Sequence, residues 1–175
     1  MSLSTRAIAG IAGVVVVGAA SLGTGIYWAH DAGKPRENVA TMVVGTSTTT
    51  AAPFCYNDGK PLDSDYINAC AERAQKASEA KQLPTLDVRS SDRIGVGVPK
   101  ELADKGWYAM TDGGSSSGSR ASIISNAKGV TYSGSKSAAG LMSAGDITSV
   151  TVVSQDPASK DLYAVWFFDL KNQAS

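Results

Sequence analysis

The sequence predicts a mainly β protein: one N-terminal transmembrane helix followed by an extracytoplasmic antiparallel, immunoglobulin-like β-sandwich with one short disulfide-tied helix. Three observations support this fold class: a long uncharged run near the N-terminus, an isolated pair of cysteines, and a series of short β-rich segments separated by turn residues. The expected organisation is a cytoplasmic tail over residues 1–6, an anchor over 7–28, a juxtamembrane linker over 29–37 and the sandwich over 38–175.

The N-terminal run extends from Ala7 to Trp28 and contains 22 residues without a charge. About 20 apolar residues are needed to cross the hydrocarbon core as a helix, and aromatic residues favour the headgroup level at the end of a span. A cleaved signal peptide is the alternative, with Gly18 and Ala20 at the small-residue cleavage positions. We expect an uncleaved single-pass anchor in the cytoplasmic membrane, with its N-terminus inside and the following domain on the extracytoplasmic side.

Small residues recur within this predicted span. Ala9 with Gly13, and Ser21 with Gly25, form pairs spaced four residues apart, which let a second helix approach closely. Glycine and alanine are also common in membrane spans in general. These four residues are therefore a candidate helix interface, and a general abundance of small residues is the alternative.

Cys55 and Cys70 are the only cysteines, and fifteen positions separate them. A zinc site normally needs three or four protein ligands, and the single histidine, His30, lies twenty-five residues before the first cysteine. There is no Cys-x-x-Cys motif, which removes the usual redox arrangement. We therefore expect a structural disulfide, which is typical of oxidising compartments outside the cytoplasm.

A helix is predicted over residues 64–81. Asp63 or Ser64 can cap its start, and Pro84 prevents its continuation. Apolar and small residues recur at helical spacing, which places Cys70 on the inward face. The residues on that face are Ile67, Cys70, Ala71, Ala74 and Ala77.

The remaining chain alternates between β-rich runs and turns. Pairs such as Lys105-Gly106 and the segment "DPASKD" around Pro157 mark turns between strands. Short strands at this spacing favour an antiparallel sandwich. The predicted strands cover residues 38–45, 46–52, 86–88, 93–98, 107–110, 121–125, 130–133, 149–155 and 162–171.

The last predicted strand is apolar on both faces. A central strand covered on both sides has this pattern, and so does a strand with one face that docks a partner or the membrane surface. The candidate docking residues are Tyr163, Val165, Trp166, Phe167 and Phe168.

Several segments resemble an actinobacterial family of exported proteins known as domain of unknown function 2771. The similar features are "PFC" at residues 53–55, Cys70, "VGVPKELADKGW" at residues 96–107, and the closing strand "DLYAVWFFDL". The resemblance covers roughly residues 38–170. It differs in the absence of a lipid-anchor cysteine and in the stretch over residues 113–148. It implies a cell-envelope location and no assigned activity.

No catalytic motif is complete. Ser-x-x-Lys occurs three times without the accompanying motifs of penicillin-recognising enzymes, and "GVTYSGSKS" lacks the lysine of a phosphate loop. The 16 basic and 16 acidic residues cancel, so nucleic acid is not an expected partner. We expect no cofactor, no metal and no enzymatic activity. The predicted function is an accessory subunit of an integral membrane complex, respiratory or envelope-assembly. An envelope lipid- or glycan-binding module, with its ligand between the sheets, is the alternative.

Overall fold

The computed structural model describes residues 37–114 and 120–173. One compact unit of the chain begins at Glu37. The predicted tail and anchor and almost all of the predicted linker lie outside the described residues, and so does the candidate interface of Ala9, Gly13, Ser21 and Gly25. Within the two described ranges, no helix has the length and apolar character needed to cross a membrane.

The described part of the chain contains ten strands, two α-helices and a short 3-10 turn (Ala138–Gly140). The helices are α1 (Ser64–Glu79) and α2 (Lys100–Ala103). The strands are β1 (Ala40–Val44), β2 (Ser47–Ala51), β3 (Cys55–Tyr56), β4 (Thr85–Val88), β5 (Arg93–Gly97), β6 (Trp107–Thr111), β7 (Ala121–Ala127), β8 (Lys136–Ser137), β9 (Ile147–Gln155) and β10 (Leu162–Asn172).

The strands form two sheets. The first has the order β2-β1-β5-β8, and the second has the order β3-β10-β9-β6-β7. Strand β4 also belongs to the second sheet, where it pairs with the C-terminal half of β10 in parallel, so the expectation of wholly antiparallel pairing fails there. All other strand pairs are antiparallel. The prediction of a mainly β protein with antiparallel sheets is confirmed.

One apolar core lies between the two sheets. Side chains alternate along each strand, so that β1 sends Ala40, Met42 and Val44 inward and leaves the intervening residues partly exposed. The second sheet contributes the two largest buried side chains, Trp107 and Trp166. The indole nitrogen of Trp166 donates to the backbone oxygen of Asn38 at 3.0 Å, which satisfies the buried polar group.

The helix α1 adds a third layer on the outer face of the second sheet. Asp63 caps the helix by accepting a 2.7 Å hydrogen bond from the backbone nitrogen of Tyr66. The predicted disulfide between Cys55 and Cys70 is present and joins strand β3 to the helix. Both cysteines pack with Val153 and Val165 in a second apolar cluster, separate from the core between the sheets.

The interpretation of β10 as a docking strand is wrong for most of its residues. Trp166 and Phe168 are fully buried in the core between the sheets, and Val165 is buried beneath the helix layer. Tyr163 and Phe167 stay partly exposed. Both faces of this strand are apolar because two different layers of the same chain cover it.

The predicted strand over residues 130–133 does not form. Its residues make an isolated bridge between Tyr132 and Gly97 and two backbone hydrogen bonds to the β5 region. Gly129 and Gly134 flank it with φ angles of +71° and +73°, which turn the chain away from an extended course. Pairing with β5 resumes only in the two-residue strand β8.

The two outward-facing glycines of β5 explain how this segment lies on the first sheet. A methyl group at Gly95 would come within 2.8 Å of the Tyr132 ring and 3.0 Å of the Gly134 backbone oxygen. A methyl group at Gly97 would meet only ordinary contacts, the nearest at 3.6 Å. The missing side chain at Gly95 therefore makes room for Tyr132.

Removal of the disulfide should lower stability. We expect the double variant Cys55→Ala/Cys70→Ala to lose about 3 kcal/mol of unfolding free energy, because the unfolded chain regains the freedom of a loop of this length. Denaturant unfolding followed by circular dichroism measures the change, and wild-type protein in reductant is the control. Two alkylatable thiols in the native protein would contradict the pairing.

The glycines of β5 give a matched pair of substitutions. Gly95→Ala should destabilise the domain by about 1–3 kcal/mol through overpacking against Tyr132 and Gly134. Gly97→Ala should change stability by less than about 0.5 kcal/mol. Thermal unfolding of both variants tests this difference, and equal losses would show that the Tyr132 contact does not restrict position 95.

Candidate functional site: a cleft beneath the helix

A cleft of about 320 Å³ separates the C-terminal half of α1 from the outer face of the second sheet. In the N-terminal half of the helix, Tyr66, Ile67 and the disulfide fill the space between helix and sheet. Further along, the residues that line the gap from the helix side are short, chiefly Ala74 and Ser78. The cleft exists because these side chains do not reach across to the sheet.

The sheet side of the cleft is mainly apolar near the disulfide and polar at the other end. Phe167 of β10 and Thr151 of β9 line its middle, and Leu83 closes one side. Ala71 and Gln75 are exposed and also line the cleft, so this side opens to solvent. A ligand would enter past these two residues.

Asp169 lies at the polar end of the cleft and is only 4% exposed. Its two carboxyl oxygens accept one hydrogen bond each, from the hydroxyls of Ser78 on α1 and Ser149 on β9, both at 3.3 Å. Burial raises the pKa of Asp169 above its ordinary value, the two hydroxyls oppose this change, and the negative charge of Asp112 adds to it. The carboxyl group is thus held in surroundings that penalise its charge.

A second cleft, of about 360 Å³, lies on the other side of Asp169. Lys81, Asp146 and Lys171 contribute its charged groups. Neither lysine forms an ion pair with Asp169: the ion pairs among the described residues are Lys100–Asp104 and Lys128–Asp156. Asp169 therefore borders two clefts, and hydroxyl groups are its hydrogen-bonding partners.

A carboxyl group, hydroxyl groups and apolar side chains line the cleft. Its titratable member, Asp169, is flanked by hydroxyls and apolar side chains, an arrangement that can bind a cation or a hydrogen-bond donor. The described residues contain no group of three or more metal-ligating side chains. The hydroxyls of Ser78 and Ser149 both donate to Asp169. No histidine or lysine is among the described residues that line this cleft.

The residues singled out from the sequence surround this cleft in part. Phe167 lines it, and the disulfide of Cys55 and Cys70 fixes the helix beside it. Tyr163 lies further along β10, where the Lys105 ammonium sits 4.0 Å from its ring centre in a cation–π contact.

Asp169, Ser78 and Ser149 were not among the site residues predicted from the sequence. One signal was present: Asp169 is the only charged residue between Tyr163 and Leu170, and it shares the outer face with Val165 and Phe167. A charged residue on an otherwise apolar strand face is a candidate site residue, because charged side chains are rarely buried without a partner. The serines could not be found this way, because they reach Asp169 from distant parts of the chain.

Comparison of the chain with models of known protein families, with curated proteins and with solved structures finds no match. The resemblance to the domain of unknown function 2771 family rests on the sequence segments quoted above.

The raised pKa of Asp169 predicts the direction in which stability changes with pH. Between the unfolded carboxyl pKa of about 3.9 and the higher folded pKa, the folded state keeps a proton that the unfolded state loses, so stability falls as the pH rises. In Asp169→Asn this decline should be absent. The melting temperature of the variant relative to wild type should therefore rise with pH through that window and then level off.

Thermal melts at a series of pH values measure this difference. Asp58→Asn, at an exposed turn position with positive φ that suits both residues, is the control for the removal of one negative charge. A relative melting temperature that falls with rising pH would mean that the folded protein favours the ionised carboxyl group.

Proposed function

We propose that this chain is a non-enzymatic accessory subunit of a membrane-bound complex, respiratory or envelope-assembly, held by a single membrane span with its β-sandwich on the outer face of the cytoplasmic membrane. The observation that carries the proposal is the cleft beneath α1. Its walls are apolar, its polar end is a carboxyl group with hydroxyl partners, and its composition suits the binding of a partner.

The disulfide supports a location outside the cytoplasm. Cys55 and Cys70 tie the helix layer to the sheet, and such structural disulfides persist in oxidising compartments. The uncharged run from Ala7 to Trp28 is long enough to serve as the anchor that places the domain there. The family resemblance implies the same cell-envelope location.

A second candidate function, the binding of an envelope lipid or glycan, is favoured by the apolar lining of the cleft. Pockets for small ligands begin at roughly 300 Å³, and this cleft lies at that lower limit. The position expected from the sequence, between the two sheets, is occupied by Trp107, Trp166 and Phe168. A ligand of this kind would lie under α1 instead.

Purification of the full-length protein in mild detergent tests the proposal. Integral membrane proteins should co-purify in stoichiometric amounts. Replacement of Gly13 and Gly25 by leucine should reduce their recovery several-fold, because a bulky side chain keeps a second helix from close approach.

Ala12→Leu/Ala19→Leu is the matched control. At 100° per residue, each of these positions lies about 100° or more around the predicted helix from both Gly13 and Gly25. The control should retain the partner, and the sandwich should stay folded in both variants. Wild-type protein that purifies alone would contradict an accessory role, and equal retention by both variants would remove the span from the interface.

A further inference from the structure

We propose that the cleft beneath α1 receives a lysine or arginine side chain from a partner protein, with the aliphatic part of that side chain against Ala74 and Phe167 and its charged end at Asp169. The inference rests on the proposed function, because it gives the accessory subunit a specific point of contact. Four features of the cleft support it.

The first feature is the unused bonding capacity of Asp169. An ionised carboxylate can accept about four hydrogen bonds, whereas here two hydroxyls each donate one at 3.3 Å, which is long for such a bond. Buried carboxylates are normally paired with a cation. In the described part of the chain, no ion pair includes Asp169. A basic side chain would supply the missing charge and donors.

The second feature is the apolar approach to that carboxylate. Lysine and arginine carry their charge on a flexible chain of methylene groups, which packs well against apolar surface. Ala74, Phe167 and Leu83 provide such a surface between the open side of the cleft and Asp169. An apolar passage that ends in a buried carboxylate matches the two parts of a basic side chain.

The third feature is the size of the cleft. A volume of about 320 Å³ lies at the lower limit for small-ligand pockets. One inserted side chain suits this space better than a long acyl chain. A cleft that is only a packing defect would be unfavourable for the protein itself. The atoms that line it lose contacts, and a larger residue at position 74 would restore them.

The fourth feature is the distribution of the surrounding charges. Asp112, which follows β6, accepts a 2.9 Å hydrogen bond from the Ser149 backbone nitrogen and adds negative potential at Asp169. Lys81, Asp146 and Lys171 face the second cleft, on the other side of Asp169. The two lysines there exceed Asp146 by one positive charge, so a cation is favoured less from that direction than past Ala71 and Gln75 on the exposed side.

Nuclear magnetic resonance of the full-length protein in detergent micelles tests the site, with n-butylammonium as the probe for a lysine side chain. Saturating butylammonium should lower the pH midpoint of the Asp169 carboxyl signal by at least one unit and shift the Ala74 and Phe167 signals. At pH 7 it should bind at least tenfold more tightly than n-butanol, and butyrate should not bind.

Three variants show whether the effect comes from this cleft. Asp169→Asn keeps the shape and should lose at least tenfold in butylammonium affinity. Ala74→Leu should fill the cleft, abolish binding and raise the melting temperature. Ala69→Leu makes the same change at an exposed position of α1 outside the cleft and should bind as wild type does.

Three results would overturn the inference. Butanol could bind more tightly than butylammonium, which would indicate an uncharged ligand. The variant Lys171→Ala could raise the Asp169 midpoint by a unit or more without any probe, which would assign the cation to this chain. Finally, Asp169→Asn and Ala74→Leu could both retain the partner in co-purification, which would place the contact elsewhere while leaving the accessory role intact.

Discussion

Strand β10 is the element on which the other layers depend, because it is covered on both faces and paired along both edges. It pairs with β9 on one edge and with β3 and β4 in succession on the other. Its inward side chains, among them Trp166 and Phe168, fill the core between the sheets, while Val165 and Phe167 lie under the helix layer. A strand in this position is apolar along most of both faces, and Asp169 is the exception.

The helix α1 is held against the sheet near its N-terminal half and is separated from the sheet by the cleft near its C-terminal half. Near Cys70 the disulfide and a compact apolar cluster keep α1 against the sheet. Beyond this point the helix has the small side chains of Ala74 and Ser78 on this face, and the space beside them is the cleft. The same short helix therefore stabilises the fold and forms one wall of the cleft.

Asp169 connects these structural facts to function. It occupies the outer face of β10, where the preceding outward residues are apolar, and it meets hydroxyls from α1 and β9. The energetic cost of a buried carboxyl group is tolerated where that group binds something or holds layers together. Fold class alone does not distinguish these roles, since similar sandwiches carry many functions. The proposal that the cleft receives a basic group therefore rests on the local chemistry around Asp169.

The sequence by itself determined the local features: the start of α1 at Ser64, the course of most strands, and the pairing of Cys55 with Cys70. These follow from capping residues, apolar periodicity and the presence of only two thiols, all of which act over short distances or by elimination. The prediction of a strand over residues 130–133 was wrong, because flanking glycines with positive φ interrupt an otherwise β-like composition.

Only the tertiary structure decided what covers β10 and what surrounds Asp169. Two apolar faces give the same sequence pattern whether the layer that covers them comes from the same chain or from a partner. The periodicity of a strand does not distinguish these two cases. Ser78 lies 91 positions before Asp169 and Ser149 lies 20 positions before it, so their meeting depends on how the helix and the sheet pack. The cleft is likewise a property of that packing, since it is the space that short side chains on α1 leave above the sheet.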